Sequence, residues 1–150
     1  MIEAQNAKYG VLVAPGAILD DASATSNALD CTGYDYLEVM VPIGATDIAM
    51  AALKLQECDT AGGTYTDIPG TTFGTDSDIE GSTTALPDDE ADGEMVVFQV
   101  NLIGRLKYVK LVLTAGNGST GTYANAVARL SRGDMPTTNA EAGALAVVRA

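Results

Sequence analysis

The feature that most constrains the fold of this chain is a period-two alternation of apolar and polar side chains, which recurs in short runs between turn-forming residues. In residues 34–41, Leu37, Val39 and Val41 fall on one face of such a run. This alternation places successive side chains on opposite faces of a strand. Strands are predicted near residues 8–14, 34–42, 49–57, 95–103, 106–114 and 122–131. Because no helix longer than two turns is indicated, the pattern predicts an all-β fold, a β-sandwich of jelly-roll type.

The composition indicates what kind of core such a sandwich can have. The chain has 150 residues, which suits one domain. Hydrophobic residues make up 47% of it, many of them Ala and Val, while aromatic residues make up 5% and Trp is absent. We therefore expect a core of small aliphatic side chains. The residues predicted to form it are Leu37, Val39, Val41, Val96, Phe98, Val100, Leu102, Leu111 and Leu113.

Two stretches depart from the strand pattern. Residues 70–93 are rich in Thr, Asp, Ser and Gly, which predicts a long surface loop. Residues 133–150 begin as coil and end in an apolar run that has no following strand to pair with. We therefore expect a sandwich domain at residues 1–132 and a C-terminal arm at 133–150, with an irregular N-terminal arm as well. Asn117-Gly118, between two strand-like runs, is the strongest hairpin signal.

Charge is distributed unevenly along the chain and excludes some partners. The net charge is −12, yet Arg105, Lys107, Lys110, Arg129, Arg132 and Arg149 all lie in the last third. Pairing of late strands with early ones would neutralise some of this charge, and any remainder would leave two electrostatic poles. So negative a chain is repelled by phosphates, which argues against nucleic-acid binding. No apolar run is long enough for a membrane span, and no secretory signal is expected at the start.

The sequence offers little for catalysis. Histidine is absent, which removes the Ser-His-Asp and Cys-His arrangements. No phosphate-binding glycine loop is present, and no carboxylate pair stands out for glycoside hydrolysis. The acidic residues 88–94 do not follow the spacing of a calcium loop, so a solvated loop is favoured over a cation site. We expect no enzyme activity, no cofactor and no metal.

Two short patterns have ordinary explanations. Cys31 and Cys58 are expected to be buried free thiols, since two cysteines without histidine cannot form a four-ligand zinc site and a disulfide framework usually needs more of them. Arg132-Gly133-Asp134 matches a cell-adhesion tripeptide, but three-residue matches are common by chance. We interpret it as a strand end followed by a glycine turn.

Two segments resemble small structural proteins of tailed bacteriophages. Residues 57–70 read Glu-Cys-Asp-Thr-Ala-Gly-Gly-Thr-Tyr-Thr-Asp-Ile-Pro-Gly, similar to a hairpin in those proteins. Residues 104–113 are similar to the paired "Gly-Arg-x-x-Tyr-hydrophobic" strand, and with residues 122–130 the resemblance covers about half of the chain. The group includes head decoration, or cement, proteins. These are small β-sandwiches, often trimers, that sit on capsid shells and connect neighbouring capsomers.

The resemblance implies a virion protein on the capsid surface, assembled in the host cytoplasm, with the major capsid protein and its own copies as partners. The alternatives are a phage tail or neck component and a carbohydrate-binding module. An apolar, basic C-terminal segment suits contacts with neighbouring subunits of a homo-oligomer, most simply a trimer, or with the shell. The alternative for this segment is that it folds back as an edge strand of its own sandwich. The residues predicted to make these contacts are Arg132, Met135, Leu145, Val147, Val148 and Arg149.

Overall fold

The chain folds as a sandwich of two antiparallel β-sheets, in a computed structural model that describes residues 6–16, 18–75, 85–133, 138 and 140–147. The strands are β1 (Ala7–Val13), β2 (Ser23–Thr25), β3 (Leu29–Asp30), β4 (Tyr34–Thr46), β5 (Ala52–Cys58), β6 (Thr66–Asp67), β7 (Met95–Asn101), β8 (Tyr108–Thr114), β9 (Thr122–Ala124) and β10 (Ala126–Gly133). Sheet 1 has the order β1-β10-β4-β7, with β9 also paired to β4. Sheet 2 has the order β2-β8-β5-β6, with β3 also paired to β8.

The core lies between the two sheets and is built from the inward-facing side of each long strand. The apolar alternation on β4 buries Leu37, Val39 and Val41 completely. Phe98 of β7 faces the same layer and meets Phe73 edge-to-face, with ring centroids 5.7 Å apart. Leu111 and Leu113 of β8 close the core from sheet 2. Every side chain in the predicted core set is buried except Val96, which is partly buried against the same cluster.

The all-β sandwich predicted from the alternation is confirmed, and each of the six predicted strands is present. The jelly-roll connection pattern is not confirmed. The last predicted strand is divided, because Asn125 separates β9 from β10. The short strands β2, β3 and β6 were not predicted, since two or three residues are too few to show a period.

The hairpin predicted at Asn117-Gly118 is wrong. β8 belongs to sheet 2 and β9 to sheet 1, so the segment between them crosses from one sheet to the other. Carboxylates from other loops hold it in place. The Gly118 N–H donates to Asp20 Oδ1 over 3.2 Å, and the Ser119 N–H donates to Asp47. The backbone hydrogen bonds that Asp47 itself accepts lower its pKa, most strongly the one from Thr120 and also the one from Ser119. Hydrogen bonds to carboxylates distant in sequence therefore fix the conformation of this segment, instead of a local hairpin turn.

The surface loop predicted at residues 70–93 is anchored to β4 where the structure describes it. A short 3-10 helix spans Asp89–Ala91, and the Asp88 side chain accepts a hydrogen bond from the Glu90 N–H at its start. The Thr46 N–H donates to Asp92 Oδ1 over 2.8 Å. Asp88 and Asp92 thus accept hydrogen bonds from backbone N–H groups, as short acidic side chains commonly do.

The C-terminal segment folds back onto β1 at one point. The Tyr9 N–H donates to the Ala142 carbonyl over 2.8 Å, and Ala142 is buried. Gly143 lies so close to the Tyr9 carbonyl that a Cβ there would collide with it. Since β1 is an edge strand, this contact covers part of the edge. The division into a domain at 1–132 and an arm at 133–150 stays a prediction, although β10 ends at Gly133.

Both cysteines are free and buried, as predicted. Cys31 points into the core, whereas Cys58 pairs with Tyr108 on the outer side of sheet 2, under the β5–β6 hairpin. Because they occupy opposite faces of one sheet, they cannot form a disulfide without backbone movement. Burial raises the pKa of the Cys31 thiol to about 12.

We expect both thiols to resist alkylation in the folded protein at pH 8, because the reactive thiolate is scarce at Cys31 and access is blocked at both sites. Mass spectrometry after maleimide treatment should show almost no adduct before denaturation and complete double labelling after it. Cys31→Ala and Cys58→Ala variants assign any residual reaction. Rapid labelling of Cys31 in the native protein would contradict the placement of this side chain in the core.

Candidate functional site

Four apolar side chains, one from each main strand of sheet 1, line up across the outer face of that sheet. The register aligns Val11 of β1 with Val127 of β10, Val127 with Met40 of β4, and Met40 with Val97 of β7. Neighbouring strands lie about 4.8 Å apart, so the row spans about 14 Å. Val11 is 64% exposed and Val97 is 44% exposed, while the two between them are half-buried. We call these four residues the apolar stripe.

Further apolar groups extend this surface at one end of the sheet. Met95, 54% exposed, lies opposite Pro42 across β7 and β4. Tyr123 of β9 is also exposed and passes directly over Gly44, where a Cβ would stand 2.9 Å from the Tyr123 Cβ. The absence of a side chain at Gly44 is what allows β9 to approach β4 so closely. The exposed apolar surface therefore continues beyond the stripe.

The next row of the same face is polar but neutral. Arg129 Nη1 donates to Glu38 Oε2 over 2.8 Å, and Tyr9 and Gln99 complete the row on either side. The hydrogen bond to Glu38 raises the pKa of the Arg129 guanidinium. A cation from the late, basic part of the chain thus pairs with an acid from the early part, as the charge distribution allowed. The outer face of sheet 1 consequently carries little of the net charge of −12.

The outer face of sheet 2 is different, because polar partners on the same face satisfy its polar side chains. Lys54 Nζ donates to Asp67 Oδ2 over 2.8 Å, and Gln56 donates to the other oxygen of the same carboxylate. The hydrogen bond from Lys54 lowers the pKa of Asp67. Ser23 and Thr114 share a hydrogen bond of 2.7 Å on the strands alongside. This face is thus suited to contact with water.

The two outer faces are therefore unequal. A sandwich needs one apolar face on each sheet to form its core, and the apolar stripe is additional to that requirement. Scattered exposed apolar residues are common, but a continuous apolar row bordered by polar groups is typical of protein–protein contact surfaces. The outer face of sheet 1 is the candidate functional site.

The two segments that carry the phage resemblance contact each other in the fold. Arg105 Nη1 lies 3.2 Å from Glu57 Oε1, and the Leu106 N–H donates to the other oxygen of that carboxylate. The Lys110 ammonium lies 4.3 Å from the centroid of the Tyr65 ring. The first segment is a hairpin, as the resemblance implies, since β5 pairs with β6. These contacts hold sheet 2 together and lie away from the apolar stripe.

The predicted contact residues are only partly described. Arg132 is exposed at the end of β10 in a left-handed conformation, with φ of 57°. Leu145 is fully exposed and Val147 is half-buried, both a few residues beyond the contact of Ala142 with β1. Met135, Val148 and Arg149 lie outside the described residues. That these six side chains touch a partner stays a prediction.

Sequence reasoning did not single out the apolar stripe, although one signal was present. Residues 95–97 of β7 read Met-Val-Val, so the strand is apolar on both faces at that end. An outward apolar residue on one strand is not informative by itself. Its significance depends on what lies beside it on the neighbouring strands, and the register decides that.

Within the described ranges, no group of three or more Cys, Asp or Glu side chains is placed to hold a metal ion. None of the helical segments in that part of the chain is both long and apolar enough to cross a membrane. A scan against protein-family models found no match to this chain, and a search of curated proteins found none either.

Proposed function

We propose that this chain is a non-enzymatic structural protein of a virion, a decoration or cement protein that binds the outside of a phage head and stabilises contacts between capsomers. One observation carries the assembly role: the apolar stripe crosses all four main strands on one outer face, while the opposite outer face carries hydrogen-bonded polar side chains. Burial of apolar surface drives most protein association. The sandwich thus has one side suited to a protein surface and one suited to solvent.

The resemblance of residues 57–70 and 104–113 supports the phage head as that protein surface. The major capsid protein is then the partner that the stripe contacts. The low charge of the outer face of sheet 1 supports this geometry, since an acidic chain can approach a large assembly there without bringing its carboxylates into contact with it. Attachment as a homo-oligomer, with trimers as the expected form, belongs to the same proposal.

The test is binding to shells that lack this protein. Particles from the source of the sequence, assembled without the chain, are incubated with purified protein, and bound copies are counted after sedimentation and by electron microscopy. We expect saturable binding of the wild type. Val11→Glu places a charge in the stripe at its most exposed position, and we expect it to weaken binding by about tenfold or more.

Val112→Glu is the matched control, because it makes the same change on the outer face of sheet 2, where Val112 pairs with Lys54. We expect this variant to bind shells as the wild type does. Equal binding of all three proteins would show that the stripe is not the contact surface. If the wild type does not bind shells but appears on tails or necks, or binds glycans as a monomer, the decoration proposal is wrong.

A further inference from the structure

β7 is an edge strand whose open side has backbone groups available for pairing. The Leu102 N–H donates to the Asp35 carbonyl, and the Ile43 N–H donates to the Glu94 carbonyl. In an antiparallel ladder, hydrogen-bonded pairs alternate along the register. The backbone groups of Phe98 therefore point toward β4, and those of Val97 and Gln99 point away from it. Within the described chain, no other strand pairs with β7 on that open side.

The other sheet edges in the described structure are partly covered or very short, whereas β7 is neither. The edge of β1 is covered at Tyr9 by the Ala142 carbonyl. In sheet 2, β2 has three residues, and β3 and β6 have two each. Very short strands and covering segments are common devices against edge pairing. β7 has seven residues, Met-Val-Val-Phe-Gln-Val-Asn, with no charge, proline or glycine.

We infer that β7 pairs antiparallel with β7 of a second copy of this chain about a twofold axis, which joins the two copies of sheet 1 into one continuous sheet. A strand added to an edge needs a partner segment with free backbone groups, and in a second copy β7 itself provides one. The contact is self-complementary under a twofold axis, because each strand presents the same alternating backbone groups to the other.

Local charges do not oppose a second copy at this edge, although each chain has a net charge of −12. Like charges directly opposite each other destabilise a strand pair, but residues 95–101 carry none. On the strand behind them, Glu38 is neutralised by Arg129. Glu94 directly precedes the strand, so a pairing confined to residues 95–101 is what allows two acidic chains to meet at β7 without directly opposed charges.

The pairing would also extend the candidate functional site. Val97 is the end of the apolar stripe at β7, so the stripes of the two copies would meet across the new strand pair. Seven strand spacings of about 4.8 Å then give one apolar row of about 34 Å. This contact joins copies in pairs and does not depend on a shell. It is distinct from the trimer contact expected of the C-terminal segment.

Residue-resolved amide hydrogen exchange on the wild-type protein tests the inference directly. The Phe98 and Val100 amides should be protected at every protein concentration, because they belong to the pairing with β4. The Val97 and Gln99 amides should exchange rapidly in dilute protein and become protected as concentration rises. Native mass spectrometry over the same range should show a monomer–dimer equilibrium.

Gln99→Pro supplies a second test, since it removes an N–H that points to the open side and leaves the β4 ladder intact. Gln99→Ala is its control, because it removes the same side chain and keeps the N–H. We expect Gln99→Pro to weaken dimerisation by about tenfold or more and Gln99→Ala to have little effect. If Gln99→Pro does not fold, the hydrogen-exchange measurement on the wild-type protein tests the β7 pairing without it. A strict monomer, a purely trimeric species, or oligomers whose Val97 and Gln99 amides remain unprotected would overturn the inference.

Discussion

Replacing Phe98 by alanine is expected to lower the free energy of unfolding by about 3–5 kcal/mol. The ring is 6% exposed in the middle of β7 and packs edge-to-face against Phe73, the other phenylalanine of the chain. The surrounding core consists mostly of small aliphatic side chains, which are too short to move in and fill the cavity left by the ring. Urea denaturation followed by circular dichroism gives the difference in free energy.

Val97→Ala is the control for this measurement, because Val97 directly precedes Phe98 on the same strand and faces outward. Its free energy of unfolding should fall by less than about 1 kcal/mol in the monomer, as expected for a partly exposed side chain. Both proteins should be measured at low concentration, so that any association through β7 does not contribute. Similar losses for the two variants would show that the inward and outward faces of β7 are assigned the wrong way round.

Gly121→Ala is expected to lower the free energy of unfolding by about 3 kcal/mol or more, although it adds a single methyl group. Gly121 has a φ of 82°, where a side chain costs about 1–2 kcal/mol. A Cβ there would also collide with the backbone carbonyl of Leu19, and overpacking of that kind adds about 1–3 kcal/mol. The position leads directly into Thr122, whose buried hydroxyl lies 2.6 Å from that of Thr46.

Gly104→Ala separates the two contributions, because Gly104 has the same φ of 82° and, apart from its chain neighbours, no atom of the described residues lies within 4 Å of an added Cβ. This variant should lose about 1–2 kcal/mol, from backbone strain alone. Thermal and urea unfolding of both variants give the comparison. If the two alanine variants unfold alike, the close approach of Gly121 to Leu19 is not a constraint on the folded state.

Much of the sandwich could be predicted from the sequence because strand alternation is a local property. Leu37, Val39 and Val41 recur at every second position, and burial of one face of β4 requires no knowledge of its neighbours. The free, buried state of Cys31 and Cys58 likewise followed from residue types alone. The exception within the core set, Val96, sits near the start of β7 and is only partly covered.

The pairing of strands could not be predicted in the same way. Asn117-Gly118 has the local chemistry of a hairpin, yet β8 and β9 lie in different sheets. The carboxylates that hold this segment, Asp20 and Asp47, are distant in sequence. A turn signal reports what a short stretch prefers by itself, and bonds from remote residues can outweigh that preference.

The sequence by itself determined the class of fold, the inward face of each long strand and the acidic character of the chain. The tertiary structure decided which strands are neighbours, and with that the properties of the outer faces. Val11, Val127, Met40 and Val97 are far apart in sequence and form a row only because β1, β10, β4 and β7 are aligned in one register. The same order leaves β7 at an edge. Side-chain alternation is encoded within a strand, whereas a surface shared by four strands exists only after their non-local pairing.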